Sequence, residues 1–217
     1  NYNFDIYAMN ADGSSLIQLT DGSYYEGCPS FSPDLKKFAF CSNETGMMNI
    51  YVFDLESYLN GGSPNITQLT NEGNNYYPAW APDNSTIAFV TDRDGGFKIY
   101  KMDIDGSNEE VFVDLEGGLY PSWSYDAQKV VFSALGNGAS EIYTMDANGE
   151  NITRLTFNSQ SDQFATWSPD GEHITFSTSN SATYFDICVM DKNGDNLVIL
   201  INHSNLDEFP RWSPDGT

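Results

Sequence analysis

A single unit written five times governs what this chain can fold into. One landmark is an aromatic residue followed by Ser or Ala and then Pro-Asp: Phe31-Ser-Pro-Asp34, Trp80-Ala-Pro-Asp83, Trp123-Ser-Tyr-Asp126, Trp167-Ser-Pro-Asp170 and Trp212-Ser-Pro-Asp215. The second is an Ile-Tyr pair at Ile6-Tyr7, Ile50-Tyr51, Ile99-Tyr100 and Ile142-Tyr143, with Ile187-Cys188 as the variant. From aromatic to next Ile the spacings are 19, 19, 19 and 20; from Ile to next aromatic they are 25, 30, 24, 25 and 25. A fixed period of this length is the signature of a repeat architecture. The one long spacing carries an insertion, Asp54–Asn65, with Gly61-Gly62-Ser63-Pro64.

Each unit reads as four short strands. The first ends at the aromatic landmark, and Pro-Asp after Ser suits a tight turn, with Pro fixing φ and Asp capping. The second is apolar on both faces: Phe38-Ala-Phe40, Ile87-Ala-Phe89, Val130-Val-Phe132 and Ile174-Thr-Phe176. Such strands belong to a sheet covered on both sides. The third carries Ile-Tyr. A hairpin follows at Asn10-Ala-Asp-Gly13, Asp103-Ile-Asp-Gly106, Asp146-Ala-Asn-Gly149 and Asp191-Lys-Asn-Gly194, whose Gly residues supply positive φ. The fourth ends near Leu19-Thr20, Leu69-Thr70 and Leu155-Thr156. No segment reads as a helix. Four-stranded units that are apolar on both faces must pack sheet on sheet, and arranged radially they give an all-β propeller. The expectation is a single propeller domain over 1–217, with the landmarks at Phe31, Trp80, Trp123, Trp167 and Trp212.

Four units are complete and the fifth is split between the termini. The chain begins in a third strand (Asp5–Asn10) and leaves after a first strand (Phe209–Asp215), so the second strand of that unit is missing. Skipping one strand leaves a gap of about 10 Å without hydrogen bonds, and an unpaired edge recruits a strand. The chain is therefore expected to be a segment of a longer one, or a subunit completed by a neighbour.

The run Trp-Ser-Pro-Asp-Gly, Ile-x-Phe, Ile-Tyr-x-Met-Asp-x-x-Gly and Leu-Thr resembles the WD-like repeat of TolB-type propellers, over nearly the whole chain. Tyr125 in place of Pro, Ala165 in place of Pro and Cys188 in place of Tyr are mild departures. The same repeat is found in the propellers of prolyl-oligopeptidase-like and tricorn-like proteases. The resemblance implies that the first strand lines a central channel. Equivalent residues at its entrance, Glu26, Asn75, Gly118, Asp162 and Asp207, would then form an acidic ring at one mouth. Cys28, Tyr77, Tyr120, Phe164 and Phe209 stand behind it. Grouped carboxylates attract a cation, an amine or a Lys/Arg-bearing peptide. The competing reading is that these side chains bond backbone amides between neighbouring blades and that the aromatics pack there.

Charge and missing motifs narrow the function. Lys and Arg number 9 against 31 Asp and Glu, a net charge of −22. A polyanion is repelled by nucleic acid and by anionic membrane. No apolar run approaches the roughly 18 residues of a membrane span. There is no Gly-x-Ser-x-Gly elbow. His173 and His203 stand alone, and no cluster has zinc spacing. Asp103 and Asp105 offer oxygens in one turn, but Gly106 comes too early for an EF-hand calcium loop, so a structural turn is the main reading and calcium the minor one. Three cysteines make no disulfide framework. A hairpin pairing Ser32 with Lys37 would set Cys28 opposite Cys41. Sequons stand at Asn43, Asn65, Asn84, Asn151 and Asn202, where glycosylation depends on the compartment. The expected function is a non-catalytic, extracytoplasmic, protein- or peptide-binding scaffold without cofactor. A filament subunit completed by its neighbour and the gating propeller of a serine peptidase are the alternatives.

Overall fold

The computed structural model describes residues 4–179, 184–202 and 206–216. Contacts divide it into two compact units, 1–95 with 101–110, and 96–100 with 111–217.

The first unit opens with a two-stranded ladder, β1 (Tyr7–Ala8) and β2 (Ile17–Gln18). It continues into a four-stranded antiparallel meander of β3 (Glu26–Phe31), β4 (Lys37–Ser42), β5 (Asn49–Asp54) and β6 (Ile66–Gln68). The next sheet runs β7 (Asn75–Trp80), β8 (Thr86–Thr91), β9 (Lys98–Asp103) and β10 (Glu110–Val113), and the division between units passes through its last two strands. The second unit holds two more meanders. One is β11 (Leu119–Trp123), β12 (Lys129–Leu135), β13 (Ser140–Asp146) and β14 (Thr153–Arg154); the other is β15 (Asp162–Trp167), β16 (His173–Ser179), β17 (Phe185–Asp191) and β18 (Val198–Ile201). Strand order follows chain order in each sheet, as the repeat predicts.

The motif is explained by cross-strand packing. Phe40 of β4 lies opposite Tyr51 of β5, with ring centroids 5.6 Å apart, and Phe132 of β12 opposite Tyr143 of β13, at 5.7 Å. Each such pair contributes roughly 0.5–1.5 kcal/mol beyond its buried area. In the variant, Cys188 faces Phe176 and no second ring stacks. Phe40, Phe89, Phe132 and Phe176 are fully buried on one face and Ala39, Ala88 and Val131 on the other, so the second strand is covered on both faces as expected.

The Ser-Pro-Asp turn is a closed hydrogen-bond circuit. In one copy Ser32 Oγ donates to Asp34 Oδ1 (2.7 Å), the Lys36 amide donates to the same carboxylate (3.1 Å), and the Lys37 amide donates to Ser32 Oγ (2.9 Å). Ser124–Asp126 and Ser168–Asp170 repeat it. The residue after Asp is left-handed in each: Leu35 (φ 57°), Asn84 (60°), Ala127 (56°), Gly171 (70°) and Gly216 (76°). A left-handed non-glycine costs about 1–2 kcal/mol. Leu35 is exposed and buries little there. Leu35→Gly is therefore expected to raise stability by about 0.5–1 kcal/mol after glycine's own entropy is subtracted, measured as the midpoint of urea unfolding.

Three expectations need correction. The insertion is not all loop: Leu55–Leu59 forms a short helix, α1. Asp54 caps it, accepting from the Ser57 amide at 2.9 Å, and Leu55 is its buried anchor. Next, Cys28 does not oppose Cys41. The Ser32–Lys37 register holds at Phe31–Phe38 and Ser30–Ala39, then a bulge shifts it so that Gly27 faces Cys41. Neither cysteine is in a disulfide, and Cys41 Sγ donates to the Gly27 carbonyl at 3.3 Å. Finally, residues 206–216 keep the turn, with Ser213 bonded to Asp215, but form no ladder. Among the described residues no second strand stands beside them, and a lone strand has nothing to pair with.

Candidate functional site

Each first strand is kinked at one point. The register shifts between Gly27 and Ser30 in β3, Tyr76 and Ala79 in β7, Leu119 and Ser122 in β11, and Gln163 and Thr166 in β15. At each shift one residue is left-handed: Cys28 (φ 55°), Tyr77 (50°), Tyr120 (55°) and Phe164 (58°), and Phe209 (57°) repeats it in the fifth copy. Tyr and Phe do not choose this conformation, so the surrounding sheet imposes it. A β-bulge bends its strand and re-aims its side chains. In the second unit these left-handed residues form a row, with centroids 4.2 Å apart for Tyr120 and Phe164 and 4.0 Å for Phe164 and Phe209. In the first unit Tyr77 packs on Tyr76 at 6.0 Å.

Two residues before each bulge residue lies the polar position expected at the strand entrance. Glu26, Asn75 and Asp162 are the first residues of β3, β7 and β15, and all three are buried. Asn75 spends its amide on Asn49 Oδ1 (3.1 Å) and the Glu72 carbonyl (3.1 Å), and accepts from Arg93 (3.2 Å). Asp162 accepts from Thr178 Oγ1 (2.5 Å) and Asn158 (2.8 Å). Burial pushes its carboxyl above the ordinary range, against the pull of those hydrogen bonds and of Arg154. Gly118 is also buried, and Asp207 is half-buried.

The spacing of the repeats does not reveal the partners of these positions. Just before each Ile of the third strand stands a polar residue, and the Thr of Leu-Thr ties it to the strand entrance. The Ile6, Ile50 and Ile142 amides donate to Thr20, Thr70 and Thr156 Oγ1, each at 2.9 Å. Thr70 Oγ1 donates to Asn49 Oδ1 (3.2 Å), and Thr156 Oγ1 to Glu141 Oε2 (2.7 Å). Arg154 then caps Glu141 at 2.6 Å, and Arg93 pairs with Glu109 beside Asn75. The repeated Leu-Thr was the available signal, since Thr there is chosen for its hydroxyl.

Glu26 differs from its counterparts. Its carboxyl lies above the ordinary range, chiefly through burial and then through the nearby charges of Asp5, Glu44 and Asp21, with a Thr20 hydrogen bond pulling the other way. The folded form therefore holds its proton more tightly than the unfolded chain does. Its contribution to stability is full below the unfolded value and is lost as pH rises through the folded one. Glu26→Gln is expected to raise the thermal midpoint at about pH 8 and to change it little at about pH 4.

Other candidates are occupied. Asp105 Oδ1 accepts from the Ser107 amide (2.9 Å) and hydroxyl (2.6 Å), and Asp103 Oδ2 from Asn108 (2.7 Å), so these oxygens serve their own turn. Among the described residues no cluster of three or more His, Cys, Asp or Glu is placed to hold a metal ion. His173 stands 6.5 Å from the Trp212 ring at a strand start, and His203 lies outside the described residues. A cavity of about 390 Å³ is lined by Lys129, Trp167, Asp170 and Lys192 among others. Its lysines are paired with Asp146 and Glu172.

Sequential four-stranded antiparallel meanders with a bulged first strand define a β-propeller protein. The chain belongs to the TolB β-propeller family: the model of the TolB beta propeller domain matches residues 1–120 and 114–217. No curated protein sequence matches it. Among solved structures it is similar to TolB from Acinetobacter baumannii (26% identity, TM-score 0.81, 97% of this chain and 51% of that one). It is equally similar to a putative TolB from Agrobacterium tumefaciens (26%, 0.81, 97% and 79%). The chain thus spans about half the length of the first. A puromycin-hydrolyzing peptidase of Mycobacterium tuberculosis shares the fold at 14% identity (TM-score 0.68, 93% of this chain and 32% of that one). No helix among the described residues is long and apolar enough to cross a membrane.

Proposed function

We propose that the chain is a non-catalytic, extracytoplasmic binding module that holds a protein or peptide at the first-strand entrances, its five repeats forming one propeller domain over 1–217. The observation that carries this reading is the left-handed residue at all five copies, Cys28, Tyr77, Tyr120, Phe164 and Phe209, set in a bulge in the first four. Backbone strain repeated at one position is kept where a site needs it, as at ligand clamps. Beside it lie the polar positions Glu26, Asn75, Asp162 and Asp207. Their excess of carboxylates favours a cationic partner. Crosslinking and pull-down should recover a partner from the native source. Tyr77→Ala, Tyr120→Ala and Asp207→Asn should weaken its capture, each by about tenfold or less. Full capture by the triple variant would overturn the reading.

A second reading is self-assembly through the outer strand of the last sheet. In β18, Val198, Ile199, Leu200 and Ile201 are each 38–57% exposed. An apolar edge strand of this kind recruits another strand. Electron microscopy of the native protein separates the readings, since only self-assembly gives regular polymers. The peptidase-gate reading rests on fold likeness alone, which does not specify function.

A further inference from the structure

Two sets of residues in this chain are copies of each other, displaced by 136 positions throughout (141 against 5, 154 against 18, 156 against 20, 162 against 26). In the later set Glu141 and Asp162 are the carboxylates, Thr156 bridges them, and Arg154 supplies the cation, donating to Glu141 at 2.6 Å. In the earlier set Asp5 and Glu26 are the carboxylates and Thr20 takes the same place, accepting from the Ile6 amide and bonded to Glu26. Gln18 stands where the arginine should be, and its amide donates to Asp5 Oδ2 at 3.1 Å. A neutral amide has replaced the charge that balances the pair.

The consequence is visible in the unmet hydrogen bonding. Glu26 is 7% exposed, and its Oε2 has no donor among the described residues; Asp5 Oδ1 is likewise enclosed and without one. Buried charges are ordinarily paired. Asn49 and Asn75, the corresponding pair of the next repeat, avoid the difficulty by being amides. Among the described residues the Asp5–Glu26 set has two carboxylates and no basic side chain in the place of Arg154; the last repeat pairs Asp186 with Asp207 and carries Ile199 there.

We propose that the Asp5–Glu26 pair is a seat for an arginine side chain of a partner, entering where Arg154 stands in the later copy. The inference rests on the binding reading above and gives it a subsite and a partner chemistry. A guanidinium fits because its planar fork serves two carboxylate oxygens at once, which an ammonium does less well. Gln18, an exposed side chain on β2, is the cover that swings aside. Specificity comes from leaving one repeat unbalanced where its copy is complete.

The test uses the full chain and the capped peptide Ac-Gly-Arg-Gly-NH2, with the citrulline peptide as its neutral twin, followed by calorimetric titration. The arginine peptide is expected to bind at least about tenfold more tightly than the citrulline one. Gln18→Arg supplies the guanidinium in cis. It should abolish this preference and raise the thermal midpoint, which also shows that the variant is folded. Glu26→Gln should weaken the arginine peptide while staying folded. Equal binding of the two peptides, or undiminished binding to Gln18→Arg, overturns the proposal. A thermal shift with calcium chloride that Gln18→Arg removes, without peptide binding, assigns the pair to a metal ion and also overturns it. If Gln18→Arg leaves partner capture intact while the Tyr77 and Tyr120 variants abolish it, the subsite fails and the binding surface stands.

Discussion

Arg154→Met is expected to destabilise the second unit by about 3–5 kcal/mol, the cost of leaving a buried charge without its partner. Glu141 is fully buried, and Arg154 is its capping cation, with only 16% of its own side chain exposed. The guanidinium also donates from Nε to the Thr156 carbonyl at 2.6 Å, so methionine strands two acceptors at once. A domain has only about 5–15 kcal/mol to lose. Chemical denaturation should show the loss directly. Arg154→Met combined with Glu141→Gln should recover most of it, because an amide in that place needs no counter-charge, as Asn49 shows. If the double variant is as unstable as the single one, the loss is one of packing and the charge argument fails.

Gly194→Ala is expected to cost about 2–4 kcal/mol, from left-handed strain and a backbone clash together. Gly194 has φ 91°, and an added methyl would stand 2.9 Å from the Leu155 carbonyl oxygen. Gly13 occupies the same turn in an earlier copy, with φ 81° and nothing within 4 Å of an added methyl. Gly13→Ala should therefore cost only the strain, about 1–2 kcal/mol. The difference between the two measures the close approach of one repeat's hairpin to the preceding fourth strand. Equal losses in urea unfolding would mean that the turn yields and the approach is soft.

Much of this fold was legible because a repeat averages out ambiguity. A single Ile-x-Phe is a weak strand signal, but four of them at fixed distance from Pro-Asp and Asp-Gly turns leave one meander. The helix at Leu55–Leu59 escaped because it occurs once, inside an insertion, and is too short to show a period. Its one signal was the Asp54 cap. The cysteine register failed because a bulge adds one residue without any mark in the composition; Cys28, Tyr77, Tyr120 and Phe164 share no side-chain property that announces a left-handed backbone. At the candidate site the entrance residues were found by alignment of copies, but their partners were not. Asp5, Asn49 and Glu141 sit in another strand, and only the fold brings them to Glu26, Asn75 and Asp162.

The bulges have a consequence for how binding preference can change. The same dihedral is held by a thiol, two phenols and two phenyl rings, so the geometry there does not depend on what the side chain is. Chemistry can be exchanged at one copy while the others keep their shape. On the proposed binding reading, a protein built this way would carry several interchangeable addresses on one frame, and a new ligand would need only a new residue at one of them.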